Sequence, residues 1–139
     1  MTKETIRRLK NLRVINTEIM SKRQEILELR TKIYKNQKFV DLPKSDGIGN
    51  GSENLNLKII SDTERITDEI NALYDEKKLL TNAIDSLEDG LERNIIRLYY
   101  INRYTWDEIA REFNCSKKTA QIIRNAGVEK LEKLLRTFS

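Results

Sequence analysis

The chain has 139 residues, of which 35% are charged and only 6% are aromatic, and its formal net charge is +4. This composition is typical of long exposed helices and not of a thick apolar core, and the length allows one or two domains. One cysteine and no histidine exclude an intramolecular disulfide and the ordinary zinc sites.

Residues 1–38 have the pattern of a basic amphipathic helix, with 11 basic and 4 acidic residues and a net charge of +7. Apolar residues recur at alternating steps of three and four, which predicts a helix with one buried stripe. The stripe comprises Leu12, Ile15, Ile19, Lys22, Ile26, Leu29 and Ile33, and Ile6 and Leu9 continue it less regularly. We interpret this stripe as ordinary core packing.

A loop of about 15 residues is predicted at about 39–54, because this stretch holds the single proline and three of the five glycines. The spacing of Gly47, Gly49 and Gly51 superficially resembles a phosphate-binding loop. No strand precedes them and no Lys-Ser or Lys-Thr closes the motif, so we do not interpret them as a nucleotide site. A flexible connector of this kind lets the flanking helices run antiparallel.

Residues 55–89 are opposite in charge to residues 1–38, with 4 basic and 9 acidic residues and a net charge of −5. Their heptad spacing predicts a second long helix that pairs with the first. The predicted seam comprises Ile59, Thr63, Ile66, Ile70, Leu73, Lys77, Leu80, Ile84, Leu87 and Leu91. We interpret Lys22 and Lys77, which interrupt the two seams, as register-setting or snorkelling residues.

Several apolar residues lie off these seams and predict a second contact surface. They are Val14, Met20, Leu27, Tyr34, Tyr74, Leu79 and Ala83. We therefore expect a homodimer through the helical hairpin.

Residues 105–135 contain the start and stop signals of two helices joined by a tight turn. Thr105 and Glu108 have the spacing of a capping box. Asn114 is predicted to end the first helix in the left-handed conformation, and Ser116 is predicted to cap the second. This arrangement is a helix-turn-helix, in which the second helix enters the major groove of DNA.

The second helix is expected to turn Ala120, Ile123, Val128 and Leu131 inward and to present polar and basic residues to DNA. The candidate DNA-contacting residues are Thr105, Trp106, Ser116, Lys117, Lys118, Thr119, Gln121, Arg124 and Asn125. Among these, Gln121 suits the N6 and N7 groups of adenine, and Arg124 suits O6 and N7 of guanine. The backbone N–H groups of Thr105 and Trp106 are expected near a phosphate. We expect the Trp106 ring itself to pack against Tyr99, Tyr100 or Tyr104.

Residues 90–139 resemble region four of bacterial sigma factors, whose helix-turn-helix follows roughly T-L-x-E-I-A-x-x-x-G-V-S-x-x-x-V. The matching residues are Thr105, Glu108, Ile109, Ala110 and Ser116, with Trp106, Cys115 and Ala120 at apolar positions. The chain departs from the family with Asn114 in place of glycine and Gly127 in place of alanine. Glycine at position 127 is expected to weaken the second helix by about 1 kcal/mol. The whole layout is also similar to small phage late-gene regulators of the ArpU-like type.

The resemblance implies an all-α protein, with a long antiparallel, coiled-coil-like helical hairpin at 1–89 and a small helix-turn-helix bundle at 90–139. It implies a transcriptional regulator, phage-encoded, that binds double-stranded DNA, with RNA polymerase as a second partner. No nucleophile lies beside a base and no metal cluster is evident, so neither catalysis nor a cofactor is expected. No apolar run approaches the ~20 residues that span a bilayer, and residues 1–10 are too polar for a signal peptide, so a cytoplasmic protein is expected.

Two other classes of protein share this layout. A small terminase-like subunit that recognises DNA for packaging would assemble as a ring, and a structural helical adaptor would have no salt-dependent affinity for DNA. The mass in solution distinguishes the first alternative from a dimeric regulator.

Overall fold

The computed structural model describes residues 1–40 and 48–138. Every regular element in these ranges is helical, as the predicted all-α fold requires. The elements in chain order are α1 (Lys3–Val40), α2 (Ile48–Asp85), α3 (Gly90–Ile96), a π-helix (Arg97–Ile101), α4 (Trp106–Glu112) and α5 (Lys117–Phe138). Long N-terminal helices are thus followed by a small helical bundle.

The predicted loop at about 39–54 is too long at both ends. Helix α1 continues to Val40, and α2 already begins at Ile48. Gly49 and Gly51 therefore lie in the first turn of α2, and each glycine costs a helix only about 1 kcal/mol relative to alanine, which does not prevent its formation. Pro43 and Gly47 belong to residues 41–47, outside the described residues.

The chain forms two compact units, of which one is the segment Thr17–Tyr74. Within it α1 and α2 run antiparallel: Lys22 Nζ donates to Glu69 Oε2 at 2.7 Å, and further along α1 Leu29 shares a groove with Ile59. Residue numbers on α2 fall as those on α1 rise, as the predicted hairpin requires. The hydrogen bond raises the pKa of Lys22 and lowers the pKa of Glu69. Lys22 thus pairs across the helices, in keeping with a register-setting role.

The other unit combines Met1–Asn16 with Asp75–Ser139. Its buried apolar side chains come from both long helices, from the segment that follows α2 and from α5, and they include Leu9, Leu12, Ile15, Leu80, Ile84, Leu87, Val128, Leu131 and Leu135. On the second seam, Lys77 Nζ donates to Asn16 Oδ1 at 2.9 Å. The predicted domain division at residues 89 and 90 stays a prediction.

Two residues of the predicted packing surfaces lie elsewhere. Leu91 was placed on the seam but is 44% exposed, because α2 ends at Asp85 and Asp89 caps a new helix. The heptad register therefore does not continue into α3. Ala83 was expected on a second contact surface, but it is fully buried within its own chain.

Among the described residues, none of the helices combines the length and the apolar character that crossing a membrane requires.

Candidate nucleic-acid interface

Helix α4 begins with the predicted capping box. The Thr105 hydroxyl accepts a hydrogen bond from Glu108 N at 3.2 Å, and Thr105 N donates to Glu108 Oε1, also at 3.2 Å. This confirms the helix start. It also means that one of the two backbone N–H groups expected near a phosphate already donates within the protein.

The turn between α4 and α5 is a Schellman motif. Asn114 has a φ of 51°, the predicted left-handed conformation. Cys115 N donates to Ala110 O at 3.0 Å and Asn114 N donates to Arg111 O at 3.3 Å, which satisfies the last carbonyl groups of α4. The turn therefore ends α4 sharply.

Ser116 caps α5, as the sequence predicts. Its Oγ accepts from Thr119 N at 3.0 Å and lies 2.9 Å from Thr119 Oγ1. The two hydroxyl groups are exposed but bonded to each other. At this point Ser116 and Thr119 define the start of the helix, and contact with DNA remains a prediction for both.

Trp106 packs inside the bundle, as expected. Its ring stacks on Tyr99, with ring centroids 4.2 Å apart and an interplanar angle of 21°. The guanidinium of Arg13, a residue of α1, lies 4.4 Å from the centroid of the Tyr99 ring. The guanidinium of Arg124, a residue of α5, lies 4.9 Å from the centroid of the Trp106 ring. These four side chains form the stacked column Arg13–Tyr99–Trp106–Arg124, which links α1, the π-helix, α4 and α5.

Arg13 also donates hydrogen bonds to backbone carbonyl groups near this column. Its Nε donates to Tyr99 O at 3.1 Å, and one Nη donates to Tyr104 O at 3.2 Å. These carbonyl groups lie in the π-helix and in the segment between the π-helix and α4, where Arg13 supplies N–H donors in place of the regular helical ones. Sequence periodicity assigned no role to Arg13, because the contact bridges 86 positions in the chain.

Arg124 is half-buried and bonded, in contrast to the expected outward position. Its Nη1 donates to the Tyr100 hydroxyl at 3.1 Å, and its Nε donates to Asn125 Oδ1 at 2.8 Å. Tyr100 is largely buried, which raises the pKa of its phenol. The guanidinium thus holds the Tyr100 hydroxyl and covers the Trp106 ring, and reading a base would require it to leave both.

Lys117 and Lys118 are exposed at the start of α5, as predicted. Lys117 Nζ lies 3.2 Å from Asp107 Oδ1 on α4, with both side chains more than half exposed. In the described part of the chain, Lys118 has no acidic partner within ion-pair distance. Lys118 is therefore the lysine available to a phosphate group.

The second turn of α5 contains a residue that the candidate list omits. Gln121 is half-buried, whereas Ile122 is 57% exposed. Lys118 precedes Ile122 by four residues, so both lie on one face of the helix. The four-residue step from Lys118 to Ile122 was visible in the sequence, but the sequence analysis assigned no role to Ile122. The neighbouring Ile123 packs against Ile95, Ile109 and Ala120, which confirms that it turns inward as predicted.

Helix α5 is positioned by a close crossing with α3. A Cβ at Gly127 would lie 2.6 Å from Ile96 Cδ1 and 3.1 Å from Glu92 Cβ. Next to the crossing, Lys130 Nζ lies 3.0 Å from each carboxylate oxygen of Glu92, and this bond raises the pKa of Lys130. Gly127 therefore serves the packing, and the helix continues past it to Phe138.

Helix α5 is also bonded to the start of α1. Thr2 N donates to Glu132 Oε1 at 2.7 Å, and Thr5 Oγ1 donates to the same oxygen at 2.9 Å. These hydrogen bonds lower the pKa of Glu132 to about 2. The α1 segment thus braces the helix whose first turns are the candidate DNA-binding surface.

In the described part of the chain, no three histidine, cysteine, aspartate or glutamate side chains converge into a group suited to a metal ion. A search of curated proteins and a search of solved structures each return no match. A comparison with protein-family models matches residues 35–132 to the family described as "Protein of unknown function (DUF1492)". The matched segment includes all of α2, α3 and α4 and the first sixteen residues of α5. Because it spans more than half of the chain, the protein belongs to the DUF1492 family.

Proposed function

We propose that the protein is a sequence-specific double-stranded DNA-binding regulator of transcription that acts through the helix-turn-helix of α4 and α5. The observation that carries the proposal is the tight Schellman turn followed by the Ser116-capped helix, whose first two turns expose Lys117, Lys118 and Ile122. A rigid turn that presents an otherwise uncovered basic helix start is the arrangement that enters the major groove.

Charge supports this assignment. Residues 90–139 have a net charge of +4, with 10 basic and 6 acidic residues. Several of these acids already have partners: Glu92 binds Lys130, Asp107 pairs with Lys117, and Glu108 closes the capping box. A positive surface of this kind attracts the phosphate backbone and gives a salt-dependent affinity.

The proposal includes a homodimer formed through the helical hairpin. In the unit Thr17–Tyr74, Met20 and Leu27 on α1 are 65% and 54% exposed, and Leu57 and Ile60 on α2 are 64% and 46% exposed. The basic first segment and the acidic second segment favour contact of α1 in one copy with α2 in another. RNA polymerase is proposed as a further partner and a phage as the source, both on the resemblance to sigma region four and to ArpU-like regulators.

The proposal describes a binding protein and no catalytic activity. The test is selection of bound duplexes from a random pool, combined with affinity measurements at several salt concentrations and with sedimentation. We expect an enriched motif with two related half-sites, an affinity that falls steeply with salt, and the mass of a dimer. A ring of eight to twelve copies (as terminase small subunits form) would favour the packaging class, and salt-independent, negligible binding would favour a structural adaptor.

A further inference from the structure

Ile122 is the large apolar side chain that projects from the exposed face of α5 near its start. It is 57% exposed and lies in the second turn after Ser116. The residues one turn before it on the same face, Lys118 and Thr119, are exposed, and so is Ala126 one turn after it. Ile122 is therefore the centre of an exposed strip defined by Lys118, Thr119, Ile122 and Ala126.

The two residues that the sequence favoured as base readers lie off this strip. Arg124 is stacked on Trp106 and bonded to the Tyr100 hydroxyl, and Gln121 is half-buried. Thr119 is bonded to the capping Ser116. Ile122, a branched hydrocarbon, is therefore the large side chain between Lys118 at one end of the strip and Ala126 at the other.

One group on the floor of the major groove suits such a side chain. Thymine presents its C5 methyl group there, and apolar side chains recognise it by contact, whereas the other base edges offer hydrogen-bond donors and acceptors that isoleucine cannot satisfy. Lys118, one turn away on the same strip, is placed to bind a phosphate while Ile122 faces the bases.

We propose that Ile122 contacts the C5 methyl group of a thymine in the major groove, so that a T·A pair at one position of each half-site is recognised through its methyl group. This inference rests on the proposed function, since it requires that α5 enter the groove. It adds the chemical group that is recognised and the residue that recognises it.

The test replaces thymine by deoxyuridine, which removes the methyl group and keeps the base pairing. Each thymine of the duplex selected by the wild-type protein is replaced in turn, and the affinities of wild type, Ile122→Ala and Ile122→Val are measured. We expect one position at which wild type loses about fourfold in affinity for each methyl group removed. This factor corresponds to the free energy of burying one such group. At that position Ile122→Ala should bind the thymine and uracil duplexes equally, and Ile122→Val should keep part of the difference.

The inference is overturned if wild type is insensitive to uracil at every position, or if Ile122→Ala shows the same loss as wild type. It is also overturned if Ile122→Ala changes the sedimentation mass and leaves the response to uracil intact, because Ile122 would then contact another protein chain. A wild-type protein that selects no motif would instead contradict the proposed function itself, before any variant is used. Circular dichroism should show the same helix content in all three proteins, since position 122 is exposed.

Discussion

Lys117 and Lys118 are adjacent in sequence, but their surroundings differ. Lys117 extends toward α4, where its amine is 3.2 Å from Asp107, whereas Lys118 lies on the strip that carries Ile122. The pair with Asp107 is exposed and therefore weak, but it partly occupies the Lys117 amine. The two lysines thus form a matched pair for testing which one contacts a phosphate.

We predict that Lys118→Ala weakens binding to all DNA sequences alike and reduces the slope of log affinity against log salt by about one unit. Lys117→Ala should reduce the slope by less, because its amine is partly occupied by Asp107. Binding titrations at several salt concentrations measure both slopes. Slopes equal to the wild-type value in both variants would remove the two lysines from the interface.

Arg124 is a second residue whose surroundings change its expected role. The sequence favoured it as a reader of guanine, but its guanidinium lies over Trp106 and donates to the Tyr100 hydroxyl. A cation–π contact and a hydrogen bond of this kind each contribute on the order of 1 kcal/mol to stability.

We therefore predict that Arg124→Ala lowers the free energy of unfolding by about 1–2 kcal/mol, because both contacts are lost. Denaturant unfolding followed by the fluorescence of Trp106, the single tryptophan, measures this. Lys118→Ala, which touches neither ring, is the control and should leave the midpoint unchanged. Unchanged stability of Arg124→Ala, together with a relaxed preference at one base pair, would instead restore the base-reading role.

Among the helices, the crossing of α3 and α5 explains why a glycine stands at position 127, within α5. Gly127 departs from the sigma-like pattern and was expected to weaken α5. The structure shows what offsets the lower helix propensity of glycine. Because Gly127 has no Cβ, α5 approaches Ile96 and Glu92 closely at this position. Ile96 is fully buried and has little room to move away.

We predict that Gly127→Ala destabilises the protein by about 1 kcal/mol, since overpacking costs about 1–3 kcal/mol and the gain in helix propensity is about 1 kcal/mol. Gly90→Ala is the matched control. A Cβ there would meet only Arg93 Nη2, at 3.5 Å, an ordinary contact, so this variant should be as stable as wild type or slightly more stable. Thermal unfolding by circular dichroism compares the two, and a more stable Gly127→Ala would contradict the close crossing.

For the whole molecule, the proposed homodimer depends on the exposed surface of the hairpin. Met20 and Leu27 are exposed apolar residues on α1 and lie seven positions apart, two helical turns, so they share one face. This apolar face is the surface through which we propose that two copies associate.

We predict that the double variant Met20→Glu and Leu27→Glu sediments as a monomer with unchanged helix content, and that its affinity for the selected two-half-site duplex falls because avidity is lost. Gln24→Glu adds charge between these positions without removing an apolar group, and it should remain a dimer. If the double variant keeps the wild-type mass, the contact lies elsewhere on the molecule.

The hydrogen bonds from Thr2 and Thr5 to Glu132 make the stability of the molecule depend on pH. They lower the pKa of Glu132 from its ordinary value of 4.5 to about 2. A lowered pKa means that the ionised form stabilises the folded state above the ordinary value, and this stabilisation is lost as the pH falls through the folded value.

We therefore predict that wild type is more stable than Glu132→Gln at neutral pH and that this difference shrinks between about pH 4.5 and about pH 2, as the linkage of protonation to folding requires. Glu129→Gln makes the same change of charge on the exposed side of α5 and serves as the control. Denaturant unfolding at a series of pH values measures the effect. A difference that is independent of pH would show that the Glu132 carboxylate is not bonded as described.

The sequence alone determined the features that depend on neighbours within a few residues. The capping box at Thr105, the left-handed Asn114 and the Ser116 cap are all confirmed, because side-chain bonds to nearby backbone groups form wherever these residues occur at the right spacing. Helical periodicity likewise located the two long helices. The ends of those helices at Val40 and Ile48 were missed, since a few unfavourable glycines do not stop a helix that is otherwise stabilised.

The tertiary structure decided which side of each helix is covered. Periodicity shows that a stripe is apolar, but the exposure of Leu91 depends on where α2 ends. The same holds for Arg13 and Arg124, whose partners are aromatic rings and carbonyl groups far away in the chain. Contacts of this range leave no local spacing to recognise, and so the two arginine ends of the stacked column became visible only when the helices were packed together.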